Sequence, residues 1–162
     1  MKFVIHGLTG DHQPGKKGKR LAAGGGKLTE FQVWSADEPD RNLALASNGT
    51  KAEGAKSAIA EDFPEAYGPQ YCIDRVLGEA WFIGNPAVLT LTFAKSGRVD
   101  RITFMNARGD RSIDEGKVRG ATPCEYEVQV SMDGQTWRTV ASDAGREPWT
   151  PAHARWRRVA GK

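Results

Sequence analysis

Residues 126–141 read YEVQVSMDGQTWRTVA. Tyr126, Val128 and Val130 alternate with Glu125, Glu127 and Gln129. This period of two places one set on a core face and the other in solvent, the pattern of a half-buried strand. Asp133-Gly134 follows, a dipeptide that supplies the positive φ angles of a tight hairpin turn. The stretch therefore predicts a hairpin, with strands at Glu125–Met132 and Gln135–Ala141.

The same habit recurs upstream. Val88–Phe93 sets Leu89, Leu91 and Phe93 inward and Thr90 and Thr92 outward, and Val99–Met105 repeats the pattern with Ile102 and Phe104. Leu28–Trp34 (LTEFQVW) carries Phe31 and Val33 on one side, and Lys2–His6 carries Phe3 and Ile5. Between these runs AEGAKSAIAEDF (52–63) allows one or two helical turns, broken by Pro64, Gly68 and Pro69. Nineteen glycines and eight prolines in 162 residues favour turns over long helices. Strands punctuated by turns, with no amphipathic helix, predict an all-β fold built as an antiparallel β-sandwich. The length fits one domain, or at most one domain with an attached segment.

Charge is unevenly placed. Residues 1–27 hold six basic side chains against Asp11, and residues 146–162 hold five against Glu147, although the whole chain is only +3. The body between them is therefore acidic. Basic ends raise the question of nucleic acid or a membrane surface. The basic run Lys16–Arg20 (KKGKR) lacks interleaved aromatic residues, so nucleic acid is not the expected partner and a solvated loop is. No run approaches the roughly 18 apolar residues of a membrane span. The N-terminal apolar run is too short for a signal peptide, and its charges follow that run, so the expectation is either a cytosolic protein or a piece of a longer exported chain.

Catalytic and metal signatures are sparse. His6, His12 and His153 all lie in the end segments, and there is no G-x-S-x-G elbow and no His-x-x-x-His pair. Gly24–Gly26 is followed by Lys27 and Leu28, which is not a phosphate loop. Cys72 and Cys124 stand 52 residues apart, with no C-x-x-C; they allow one disulfide, and spacing alone does not decide it. A non-enzymatic protein is the expectation.

Taken in order, NLALAS (42–47), IDRVLGEAW (73–81), the strand LTLTF, VDRITF (99–104) and YEVQVSMDGQTWRTVA (126–141) resemble the discoidin domain, or coagulation-factor C-type domain, of the galactose-binding-like superfamily. The resemblance covers about residues 42–141. It implies a jelly-roll sandwich that recognises carbohydrate, a glycoprotein or another surface through its loops, on behalf of a larger exported protein. The location it implies is extracellular or periplasmic. In that family a strand like L-x-E-F-x-V closes the domain; here LTEFQVW stands at 28–34, ahead of the opening segment, with KFVIH (2–6) before it. Either the domain is permuted, or these strands are the tail of a preceding module. Permutation is the favoured reading: residues 1–145 form one sandwich, 1–34 supply its closing strands, and 146–162 are a basic tail or linker.

The resemblance also implies sites. A structural calcium is expected at Asp74 and Glu79, with Glu30 of the closing strand contributing. Calcium takes six to eight oxygens, so these carboxylates with backbone carbonyls would serve. Arg75 replaces the family glycine, Val76 an acidic or asparagine position, and Glu79 a threonine. Arg75 pairing with Asp74 or Glu79 in place of an ion is the alternative. Trp81, the family tryptophan, is expected in the core or the floor of the loops. For ligand contacts the long polar loop 106–120 offers Asn106, Arg108, Asp110 and Arg111, and Tyr67, Tyr71 and Phe82 offer rings to stack on a sugar. A solvated loop with local Arg–Asp pairing is the bland alternative, and Arg108-Gly109-Asp110 is a chance match to an adhesion tripeptide. The competing function is a structural or protein-interaction domain that binds neighbouring domains of the same chain and no small ligand.

Overall fold

The computed structural model describes residues 1–8, 26–55, 66–76, 79–84, 86–105 and 123–143. They form nine strands: β1 (Lys2–Leu8), β2 (Gly26–Leu28), β3 (Glu30–Ser35), β4 (Lys51–Glu53), β5 (Trp81–Ile83), β6 (Ala87–Thr92), β7 (Val99–Met105), β8 (Pro123–Val130) and β9 (Arg138–Ser142). Among the described residues helix is limited to two 3-10 turns, Ala46–Asn48 and Pro69–Cys72. The strands build a five-stranded sheet in the order β4-β6-β1-β8-β9 and two pairs, β2-β5 and β3-β7. Every pairing is antiparallel, so the fold is all-β. None of the described helices is long and apolar enough to cross a membrane.

The strand alternation read from the sequence places the core. On β1, Phe3 and Ile5 are buried while Val4 is half-buried and His6 exposed. On β6, Leu89 and Leu91 are buried while Val88 and Thr92 are exposed. β1 lies between two downstream strands, with Phe3 opposite both Leu89 of β6 and Val128 of β8. Phe3 meets Phe31 of β3 at 5.0 Å, and Phe104 of β7 and Tyr126 of β8 each at 5.1 Å. Phe104 and Tyr126 add an edge-on contact at 5.5 Å. Tilted and edge-on rings at these separations are the arrangement the aromatic quadrupole favours. They join the five-stranded sheet to the β3-β7 pair.

Trp81 is fully buried, and its indole N–H donates to the Ala55 carbonyl at 3.1 Å. Gly54 makes that placement feasible: a Cβ there would stand 2.7 Å from Trp81 Cζ2 and 2.9 Å from the Val88 carbonyl oxygen.

Two local details differ from the sequence reading. LTEFQVW is not one strand: Thr29 separates β2 from β3, and its N–H donates to the Met105 carbonyl at 2.8 Å. The β8–β9 connection is also wider than a two-residue turn, running through residues 131–137. Only Gly134 takes a positive φ there, at 73°. The Asp133 carboxylate organises the loop, with Oδ1 accepting from the Gln135 and Thr136 amides at 2.8 Å each. These bonds favour its ionised form and hold its pKa well below the ordinary carboxylate range. The side chain thus does work that a second left-handed residue would do in a tighter turn. β9 follows with every residue exposed.

Candidate functional site

Glu30 opens β3, opposite Met105 of β7. Strand alternation would send it outward with Gln32 and Trp34, yet it is 1% exposed. Neither carboxyl oxygen has a hydrogen-bond partner among the described residues, nor does the buried Thr29 hydroxyl beside it. Burial of an unpaired carboxylate is costly, and the group responds by holding its proton. Burial pushes the Glu30 pKa up to about 7, and the nearby Asp74 carboxylate adds to the rise. The Arg75 amide and guanidinium oppose it, although the amide closes no hydrogen bond of ordinary geometry.

The segment after the second 3-10 turn delivers these neighbours. Cys72 is buried, and its thiol donates to the Pro69 carbonyl at 2.9 Å. Burial, then the negative charge of Glu30, pushes that thiol far above its usual range. Cys72 is a free thiol, and the side chain of Cys124 lies outside the described residues. Asp74 is half-buried, and its Oδ1 accepts from the Val76 amide at 2.8 Å, closing a local Asx turn. Within that turn Arg75 takes φ 66°, a left-handed conformation that glycine adopts without strain. Arg75 is exposed and Glu79 is exposed.

The structure therefore brings Glu30 toward Asp74. It does not gather Glu30, Asp74 and Glu79 into one metal-holding set, since no group of three His, Cys, Asp or Glu side chains is so arranged among the described residues. The donor chemistry at Glu30 still fits a hard cation in part. Two buried carboxylate oxygens and a hydroxyl lie without partners, next to a second carboxylate. A calcium ion held there would take its remaining ligands from backbone carbonyls and water.

A second cluster lies on the β2-β5 pair. Phe82 is the half-buried middle residue of β5, between buried Trp81 and Ile83, and it is paired with Lys27 of β2. The Lys27 ammonium stands 4.7 Å over the Phe82 ring centroid. Tyr67 stacks on the same ring, with centroids 4.0 Å apart and planes inclined by 23°. Its carbonyl also accepts from the Phe82 amide at 3.1 Å. Tyr67 holds φ 60°, an uncommon conformation for an aromatic residue. Tyr71 is half-buried in the following 3-10 turn, with its amide donating to the Gly68 carbonyl at 3.2 Å.

Of the expected ligand contacts, Phe82 and Tyr67 are thus brought together. Asn106, Arg108, Asp110 and Arg111 lie outside the described residues, as do the basic run at 16–20 and the tail at 146–162. Lys27 was not foreseen as a site residue. Its position depends on the register of β2 against β5, a long-range pairing with no local signal.

A third feature is an open cleft of about 960 Å³ reached by β6, β7, β8 and β9. Half-buried Phe93, Ile102, Phe104, Tyr126, Val130 and Trp137 line it. It lies beside β9, the exposed edge strand of the five-stranded sheet.

No protein-family model, no curated protein and no solved structure matches the chain.

Proposed function

We propose that this chain is a non-catalytic recognition module of the discoidin kind, a jelly-roll sandwich that binds carbohydrate or a glycosylated surface for a larger exported protein. The observation that carries the reading is the Tyr67–Phe82 stack, half-buried and held against the strained Tyr67 backbone. Tyr67 and the Lys27 ammonium already contact the Phe82 ring, so the rim of the stack is what supplies apolar area to a sugar, at little entropic cost because the rings are held in place. Backbone strain at a side chain of this kind is retained where the surroundings over-determine it, as ligand sites commonly do. The motifs NLALAS, IDRVLGEAW and YEVQVSMDGQTW support the same family, and β1 and β3 pair with strands that follow them in the chain, as a permuted sandwich requires.

Within this reading Glu30 and Asp74 hold a structural calcium. Bound there, calcium would supply positive charge beside buried Glu30 and half-buried Asp74, and Glu30 would have to give up its proton to hold it. Screening on a broad glycan array, followed by calorimetry with galactosides, tests the proposal: saturable binding supports it, and no binding to any glycan overturns it.

A second reading is favoured by the open apolar cleft. A domain whose core is lined at one side by half-buried Phe104, Tyr126 and Val130 suits packing against a neighbouring domain. A structure of the parent protein with that cleft covered by another domain, together with a blank glycan array, would decide for this reading.

A further inference from the structure

We propose that residues 144–162 of this chain seat Trp149 and Trp156 in the open cleft beside β9 and complete the core there. The inference stands apart from the sugar reading, and it gives to the chain itself the cover that the second reading assigns to a neighbouring domain. One sheet face carries the argument. Phe3 and Leu89 are paired across β1 and β6 and buried, and Val128, paired with Phe3 on the other side, is 3% exposed. Two positions further along β8, Val130 is only half-buried, and Val140 of β9, which lines the same cleft, is 45% exposed. Among the described residues the β3-β7 pair therefore seals this face over β1 and leaves it open over β8 and β9, where the cleft of about 960 Å³ lies. Contiguous apolar surface of this kind marks a place where something else packs.

The point at which the described chain ends selects the occupant. β9 is followed by Asp143, whose carboxylate accepts from the Tyr126 amide at 2.6 Å and whose own amide donates to the Tyr126 carbonyl at 3.2 Å. Tyr126 is itself a wall of the cleft, so residues 144–162 start at its rim. Trp149 stands six positions beyond Asp143, and six residues of extended chain span up to about 20 Å. The wall from Tyr126 to Val130 on β8 is about 13 Å long at the rise of a strand, so Trp149 can reach any point on it. Composition agrees with reach. Two of the chain's five tryptophans, Trp149 and Trp156, stand in this segment. Segments that stay solvated are poor in aromatic residues. Residues 106–122, which join β7 to β8, offer only Ile113 and Val118 as large apolar side chains. A tryptophan buries a large apolar area while its indole N–H still finds a polar partner at a rim.

The test places the photo-crosslinking residue benzoylphenylalanine at position 149 of the full chain, and in a second protein at position 156. Illumination of dilute protein, followed by peptide mapping with mass spectrometry, should give within-chain products on β7, β8 or β9. Products elsewhere in the chain, products only between chains, or no product overturn the proposal. A second arm compares the full chain carrying Trp149→Ala and Trp156→Ala with wild type by binding of the hydrophobic dye ANS. With circular dichroism unchanged, the double variant should bind several-fold more dye, because its cleft is uncovered. Dye binding equal to that of wild type overturns the proposal. If the double variant loses its circular dichroism, the crosslinks alone decide. A blank glycan array bears only on the sugar reading, and failure here leaves that reading standing.

Discussion

Tyr67 and Phe82 lie with their rings nearly parallel, 4.0 Å apart at the centroids, and are tied by a backbone hydrogen bond from the Phe82 amide to the Tyr67 carbonyl. The bond ties the backbones and the stack ties the side chains. Tyr67 holds φ 60° in this position. The segment that carries it continues through Tyr71 and Cys72 to Asp74, beside the buried Glu30. Tyr67 and Asp74, one member of the ring pair and one of the acidic pair, therefore lie on one short stretch of chain.

In metal-free protein Glu30 makes stability depend on pH. Its folded pKa of about 7 lies above the ordinary value of 4.5, so between these pH values the folded state keeps a proton that the unfolded chain has lost. Stability contributed by this group is full below about pH 4.5 and falls as pH rises through 7, by on the order of 3 kcal/mol. Thermal melts of wild type and Glu30→Gln in chelator, from pH 5 to 8, should show the wild-type melting temperature falling relative to the variant. Parallel curves would refute the assignment.

Calcium should act in the opposite sense. If Glu30 and Asp74 hold the ion, calcium at about a hundred times its Kd stabilises the fold by about 2.7 kcal/mol. Melting temperature should rise by several degrees, return on chelation, and fail to respond in Glu30→Gln. Magnesium should not substitute, because it demands a tighter octahedral shell. A wild-type melt unmoved by millimolar calcium would remove the ion from the account.

The strand faces were legible and the acidic pair was not. Phe3, Ile5, Leu89, Leu91 and Val128 announce themselves because apolar and polar residues alternate, and the structure buries all five. Glu30 shares its strand face with Gln32 and Trp34, which are half-buried, so periodicity alone sends it toward solvent. It is buried because the segment bearing Cys72 and Asp74 approaches it, a contact across more than forty residues that only the family resemblance hinted at. Lys27 beside Phe82 has the same cause: the partner is 55 positions away, and no local pattern sets the β2-β5 register. Asp133-Gly134 is compatible with a two-residue turn, but the Asp133 carboxylate stabilises a longer loop instead.

Gly54→Ala should destabilise the fold by about 1–3 kcal/mol, since its Cβ would press on Trp81 Cζ2 at 2.7 Å and on the Val88 carbonyl at 2.9 Å. Gly134→Ala is the comparison: its φ is 73°, but nothing lies within 4 Å of the new atom, so it carries the backbone cost alone. Chemical denaturation should show the larger loss of stability for Gly54→Ala. Equal, small losses for both would mean that Trp81 is not packed against Gly54.

Arg75→Gly should stabilise the metal-free protein by up to about 1 kcal/mol, because φ 66° is strained for arginine and free for glycine. Part of that gain is offset by the greater freedom of glycine in the unfolded chain. A clear loss of stability on denaturant melts would show that the guanidinium, which opposes the raised pKa of Glu30, matters more than the strain.

Sugar recognition by the ring pair is tested most directly by a glycan array probed with wild type and Phe82→Ala, with calorimetry on the best hit. The account predicts saturable binding by wild type and at least a tenfold loss in Phe82→Ala, with circular dichroism unchanged. A wild-type array without a single hit, or a hit that Phe82→Ala binds equally well, would contradict it.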